Sequence, residues 1–293
     1  MARPRLDENG NPEAELRFGD HIKDEFIDPY NSQIYPPHRL SDYYSADVVG
    51  WTDPDKPPPQ AECEFVAGNY YWFEDSSLTR VNSITSDDSY TGSYSIGFTF
   101  FYGGTGRTVY WVSTNSHLDL DQGRSNIISS ISGATSSCPN SVWGHNRDMY
   151  QGYSSGYGSY GAWSAHGSST GQAHGVWNKS AFTPTGASNC MVSVVSFQGT
   201  TYTGSYRGSR HGWTMALVND DDKMWIQEMK TTAVPSYFGY TCGLISNGTY
   251  TSSITANTQG NRTVVYEGDA SGNNWVYRGL GRIRITGTSN WVY

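Results

Sequence analysis

The stretch SYSIGFTFF (Ser93–Phe101), then YGGTG (Tyr102–Gly106), then TVYWV (Thr108–Val112) carries the decision about fold. Two runs of apolar, β-branched and aromatic residues flank a glycine-rich turn, and that pattern predicts an antiparallel hairpin. The same texture continues on both sides. Upstream, Phe65–Ala67 and Tyr70–Phe73 read as strands around a Gly68-Asn69 turn. Downstream, MVSVVSF (Met191–Phe197) reads as a further strand, and Trp213–Val218 and Met224–Met229 flank the polar turn Asn219–Lys223. Asp and Asn favour such turns because their side chains bond the local backbone. Gly243–Ile245, Thr249–Ile254, Thr263–Tyr266, Trp275–Tyr277 and Arg282–Thr286 complete the set. No window of helix length shows a 3.6-residue apolar period. Short strands at near-regular spacing predict an all-β fold, an antiparallel β-sandwich-like body.

Composition agrees. Of 293 residues, 36% are hydrophobic and 16% charged, both below typical globular values, while Gly (33) and Tyr (22) are abundant. Aromatic residues at 14% supply enough apolar surface for folding. The net charge is −8 and no Lys/Arg-rich run occurs, which argues against nucleic-acid binding through phosphate neutralisation. No apolar run approaches the roughly 18 residues that span a bilayer. Residues 1–12 lack the apolar core of a secretory leader, so synthesis in a cytoplasm is expected. Without secretion, the N-x-S/T matches at Asn178, Asn247 and Asn261 lose meaning. The four cysteines, Cys63, Cys138, Cys190 and Cys242, form no CxxC; buried thiols and a disulfide framework both fit them.

Residues 1–60 differ from the rest. They hold twelve acids against six bases, −6 of the net −8, and most of the prolines, ending in Pro57-Pro58-Pro59. Proline fixes φ and removes a donor, so the segment is predicted to be extended and largely irregular. It carries spaced apolar anchors, Phe18, Phe26, Ile27, Tyr30, Ile34 and Tyr35, and reads as an arm that orders on a neighbouring subunit. The body is residues 61–293. Within it, residues 148–178 are almost wholly Gly, Ser, Tyr, His and Trp. That bias predicts a long exposed loop with no core strand, its ligand or partner contacts made by Tyr153, Tyr157, Tyr160, Trp163, His166 and Trp177.

Ser95–Gly104 (SIGFTFFYGG) followed by Val109–Asn115 (VYWVSTN) resembles the opening of nidogen-like β-sandwich domains. The hairpin Trp213–Met229 and the stretch Cys242–Thr249 resemble their closing strands, so the resemblance runs over about 93–251. The chain departs from that family in having Ser116 where a glycine is usual after Asn115. The resemblance implies a sandwich fold, an adhesion or matrix role, and no catalytic residues to transfer. In style the whole resembles minor structural proteins of tailed bacteriophages.

Each stretch that resembles a chemical motif departs from it in context or spacing. GYSSG (Gly152–Gly156) matches GxSxG but lacks the strand before and the helix after that a nucleophile elbow needs. GGTGRT (Gly103–Thr108) is not a phosphate loop, because the spacing is wrong and the Lys is missing. His145, His166, His174 and His211 show no zinc spacing. DLDQG (Asp119–Gly123) alternates carboxylates before a glycine as some calcium loops do, without the distal Glu. No catalytic residue, metal or cofactor is therefore assigned.

The reading that follows is a non-enzymatic virion structural protein, a head decoration, collar, tail or baseplate component. It docks on other virion subunits through residues 1–60, with a homo-oligomer or a host-surface glycan as further partners. A surface adhesin or carbohydrate-binding module is the alternative. A glycan hydrolase is a third, and would need two carboxylates across a cleft.

Overall fold

The computed structural model describes residues 62–70, 77–82, 88–123, 136–144, 149–150, 175–201, 210–232, 240–256 and 262–293. The arm anchors at Phe18, Phe26, Ile27, Tyr30, Ile34 and Tyr35 lie outside the described residues, as do Tyr153, Tyr157, Tyr160, Trp163 and His166. Ala61–Tyr293 forms one unit. Its strands are β1 (Cys63–Ala67), β2 (Thr79–Asn82), β3 (Tyr90–Tyr102), β4 (Thr105–Ser113) and β5 (His117–Asp119). There follow β6 (Ser141–Trp143), β7 (Met149–Tyr150), β8 (Gly175–Phe182), β9 (Met191–Thr201) and β10 (Arg210–Asp220). The last are β11 (Lys223–Thr232), β12 (Tyr240–Ser246), β13 (Thr249–Ala256), β14 (Arg262–Asp269) and β15 (Val276–Ile285). No helix is among these elements, and no helix of the described residues is long and apolar enough to cross a membrane.

The fold is all-β, as the alternation predicts. β3 and β4 pair antiparallel from Tyr90↔Ser113 to Tyr102↔Thr105. Gly103 and Gly104 turn between them at φ +59° and +69°, which is the two-residue geometry that matches strand twist. A Cβ on Gly103 would stand 2.3 Å from Asn140 Oδ1, so packing as well as φ demands glycine there. Two sheets result. The larger runs β1-β15-β14-β11-β10-β9-β8-β2, with β7 also on β9; the smaller runs β13-β12-β6-β5-β4-β3.

The two sheets face one another across a core that includes Ile96, Phe100 and Tyr102 of β3, Tyr110 and Val112 of β4, and Trp213, Met215 and Leu217 of β10. The period-two spacing of these residues along each strand puts them on one face. The other face of the larger sheet is also apolar. Val192 and Val194 of β9, Ala216 and Val218 of β10, Trp225 of β11 and Val265 of β14 form a second core with Cys63, Cys190, Ile283, Ile285 and Val292. Strands buried on both sides read as nearly continuous apolar runs, which is the texture of MVSVVSF and WTMALV.

A bend in β15 supplies the cover for that second face. β15 pairs with β14 as far as Val264↔Leu280, through a bulge where Gly279 takes φ +118°. Beyond it, Ile283 N donates to Oε1 of Gln227 on β11 at 2.8 Å. Backbone bonded by a side chain of β11 lies over the sheet, not beside it. This half of β15 pairs with β1, Cys63↔Ile285 to Ala67↔Gly281, and bridges to Trp291. Arg282 lies 4.8 Å over the Trp291 ring and donates to Tyr293 O.

Several expectations are corrected. Trp275–Tyr277 and Arg282–Thr286 are not two strands: one strand, β15, runs through the bulge at Gly279. Tyr70 follows β1 without joining a strand, and residues 71–73 lie outside the described residues. The Asn219–Lys223 turn is shorter than expected, because Asn219↔Met224 and Asp220↔Lys223 are already paired. The 148–178 segment is not loop throughout, since its ends belong to β7 and β8. Trp177, expected to be exposed, is buried at 4%. β8 gains a ladder with β9, and its consecutive residues Val176 and Trp177 enter the two different cores. Local glycine content is outweighed by that burial.

A clasp holds the cover where β1 begins. Asp220 Oδ1 accepts from Glu62 N (3.0 Å) and Oδ2 from Cys63 N (3.3 Å). The Glu62 carboxylate accepts from Ser188 N (2.8 Å), Asn189 N (2.7 Å) and the Ser188 hydroxyl. Burial acts to raise the Glu62 pKa, and these hydrogen bonds outweigh it, so the carboxyl sits below its usual 4.5. A folded pKa below the unfolded one adds stability that is complete above about pH 4.5 and lost as pH falls through the folded value. Glu62→Gln should lower stability at pH 7 by about 1 kcal/mol, the solvent-exposed setting limiting the effect. The deficit should shrink below about pH 4, as read by urea melts across pH. Since both cores lie within 61–293, the chain cut to those residues should melt in one cooperative transition by circular dichroism.

Candidate functional site

Strand register divides the connections between two ends of the sandwich. At one end β9 stops at Thr201 and β10 starts at Arg210, which faces Thr200. β11 stops at Thr232 facing His211, and β14 starts at Arg262 facing Lys230. β7 ends at Tyr150 facing Thr200, and β8 begins at Gly175 facing Gln198. Two residues of β9, about 7 Å, therefore separate the points where the chain leaves and rejoins the sheet around 151–174. β2 stops at Asn82, next to Val176. In the smaller sheet, β13 ends at Ala256 facing Tyr240, the first residue of β12. β6 ends at Trp143, which faces both His117 and Gly243.

Side chains show that these are the same end of both sheets. Trp213 Nε1 of β10 donates to Ser116 Oγ, between β4 and β5, at 3.0 Å. Gly144, just after β6, lies so close that a Cβ would stand 2.0 Å from Trp213. We call this the open end. The connections through 83–87, 145–148, 151–174, 202–209, 233–239 and 257–261 all leave the described strands there. They add Tyr202, Tyr206, Tyr237 and Phe238 to the aromatics expected at 153–163.

Under the open end is a layer of buried polar residues from Ser113 to His117. His117 stacks on Trp143 with centroids 4.0 Å apart, and the Tyr90 hydroxyl lies 2.7 Å from its Nε2. Asn115 Nδ2 donates to Asp88 Oδ1 at 3.0 Å, and Thr114 Oγ1 accepts from Ser89 N at 2.9 Å. Ser116 takes φ +69°, a conformation suited to glycine. The bond from Trp213 gives the serine side chain a role at this position. His117 was not among the histidines singled out from sequence, since nothing in its spacing marks it. Of those that were, His145, His166 and His174 lie outside the described residues, and so does the side chain of His211.

At the opposite end the turns Gly103-Gly104, Asp221-Asp222 and Asn247-Gly248 tie β3 to β4, β10 to β11 and β12 to β13, and the connections 120–140, 183–190 and 270–275 leave the strands there too. The carboxylates of the Asp119–Gly123 stretch sit here in structural roles. Asp119 Oδ1 accepts from Asp121 N (2.8 Å) and Gln122 N (3.2 Å), and Cys138 Sγ donates to Oδ2 (3.2 Å). Asp121 pairs with Arg107 at 2.7 Å and accepts from Asn140 Nδ2. Among the described residues no cluster of three or more His, Cys, Asp or Glu is placed to hold a metal ion.

Residues 63–161 match the family described as NIDO related. The match covers about a third of the chain and includes the β3–β4 hairpin, so the nidogen-like reading of that hairpin stands. It begins earlier than the resemblance read from sequence and does not reach the hairpin Trp213–Met229. No curated protein and no solved structure matches the chain.

The Ser116–Trp213 bond gives a sign test. Ser116→Gly relieves the left-handed backbone but leaves the buried indole N–H without its acceptor. The single change should destabilise by about 1–2 kcal/mol. In a Trp213→Phe background, where no N–H is orphaned, it should stabilise by about 0.5 kcal/mol. A double-mutant cycle in urea reads both numbers.

Proposed function

We propose that the chain is a non-enzymatic virion structural protein. The body is a rigid stand that presents the aromatic connections of its open end to a partner surface, and residues 1–60 dock on a neighbouring subunit. The observation that carries this is that the connections through 151–174, 202–209 and 233–239, which hold most of the Tyr-, Ser- and Gly-rich sequence, all leave the strands at one end. Tyr and Trp offer large, stiff, amphipathic contact surfaces, and Ser and Gly adapt their hydrogen bonds around them. A glycan or protein surface is the partner class such residues suit. Support for a non-catalytic body comes from its buried polar groups. Asp119, Asp121 and Asp220 hold turns and strand ends, and His117 is packed between Tyr90 and Trp143.

A surface adhesin is the second reading, favoured by the NIDO-related match at 63–161. Both readings use the open end and differ in where the chain is displayed. Replacing Ser154–Ser168 with a short Gly-Ser linker should leave the melting temperature nearly unchanged and abolish binding to immobilised glycans or intact cells. Unchanged binding would sink the role given to this end. Quantitative mass spectrometry of purified particles separates the two settings. A fixed copy number, lost on deleting residues 1–45, is the virion outcome; absence from particles is the adhesin outcome.

A further inference from the structure

We propose that Cys63 and Cys190 form a disulfide that staples the β1–β15 cover to the central sheet. The two Sγ atoms stand 3.5 Å apart, and both residues are buried, at 3% and 0% exposure. They belong to one apolar core, with Val192, Val218 and Val292 among the groups around them. Closing to the bond length of about 2.05 Å needs a shift of about 1.5 Å, within reach of modest side-chain rotation. The clasp at Glu62, Asp220 and Ser188 brackets the pair and fixes both backbones. Cys138 stands apart, bonded to Asp119 in another cluster.

The reaction is a thiol–disulfide exchange with a low-molecular-weight disulfide as oxidant. One cysteine thiolate attacks that disulfide, forming a mixed disulfide and releasing one thiol. The second cysteine then attacks the protein-side sulfur, forming the Cys63–Cys190 bond and releasing the other thiol. Two electrons pass from the protein sulfurs to the oxidant, and the two protons end on the released thiols. In the folded protein the Cys190 hydrogen bond and burial push the Cys63 thiol pKa up, which disfavours the attacking thiolate. Exchange therefore takes place during folding, or while β1 is undocked from β15. Once formed, the bond closes a loop between residues 127 apart in sequence. It also anchors the strand that follows residues 1–60 covalently to the core, so force on that segment is no longer borne by the five-residue ladder alone. The inference rests on the sulfur geometry and stands whether or not the proposed function does.

The test refolds the full chain in glutathione buffers, from fully reduced to predominantly glutathione disulfide. Free thiols are then alkylated and the digest mapped under non-reducing conditions. The expected result is a linked peptide pair joining Cys63 and Cys190. The oxidised protein should melt about 5–15 °C above the reduced one. Cys63→Ala and Cys190→Ala should each remove that difference. Full alkylation of both cysteines after oxidative refolding, or linkage of Cys63 to Cys138 or Cys242 instead, would overturn the proposal. The peptide map is made on the unsubstituted chain, so it decides even where a variant fails to fold.

Discussion

The larger sheet is apolar on both faces, and most of the architecture follows from covering it. Val194 and Val195 are consecutive in β9 and enter different cores, as Val264 and Val265 do in β14. Strand geometry sends neighbours to opposite sides, so neither pair finds shelter in a two-layer stack with one wet face. The smaller sheet covers one side. On the other, β15 bends at Gly279 and carries β1, Trp291 and Val292 across the back. Segments at the two limits of the described body, far apart in sequence, thus meet in one layer. The buried carboxylate of Asp220 marks the junction. Burial raises its pKa most strongly, yet it holds the backbone N–H groups of Glu62 and Cys63.

The same strand register sets apart the two ends of the sandwich. Two-residue turns with left-handed residues at Gly103-Gly104 and Asn247-Gly248 tie strands at one end. Asn140 ties the Asn247-Gly248 hairpin to the stretch after β5, its Oδ1 accepting from Asn247 N while its Nδ2 donates to Asp121. At the open end, Ser113–His117 and Trp213 knit the two sheets together beneath the points where long connections leave. A packed platform under long connections is an arrangement by which many β-sandwiches present binding surfaces.

Much of this was legible in the sequence. The β3–β4 and β10–β11 hairpins were visible because period-two alternation, β-branched content and turn chemistry agree at each. β5 and β6 were missed because three-residue strands carry too little pattern. β8 was missed because glycine-biased flanks hid a strand stabilised by its ladder with β9. At the open end the Tyr/Gly/Ser composition stood out, whereas Ser116, His117 and Trp143 did not. Their roles come from contacts between residues 97 apart, as in Trp213 to Ser116, or from stacking across neighbouring strands.

By itself, the sequence determined the all-β class and the compositional break near residue 60. Each depends on local quantities: alternation and proline density. Tertiary structure alone decided which end of the sandwich each connection leaves, how β15 bends over the second core and which cysteines meet. Those depend on strand order and register, which are set by how two apolar faces of one sheet are jointly removed from water. Nothing in the 127 residues of separation between Cys63 and Cys190 encodes their approach; it arises because one belongs to the cover and the other to the sheet beneath it.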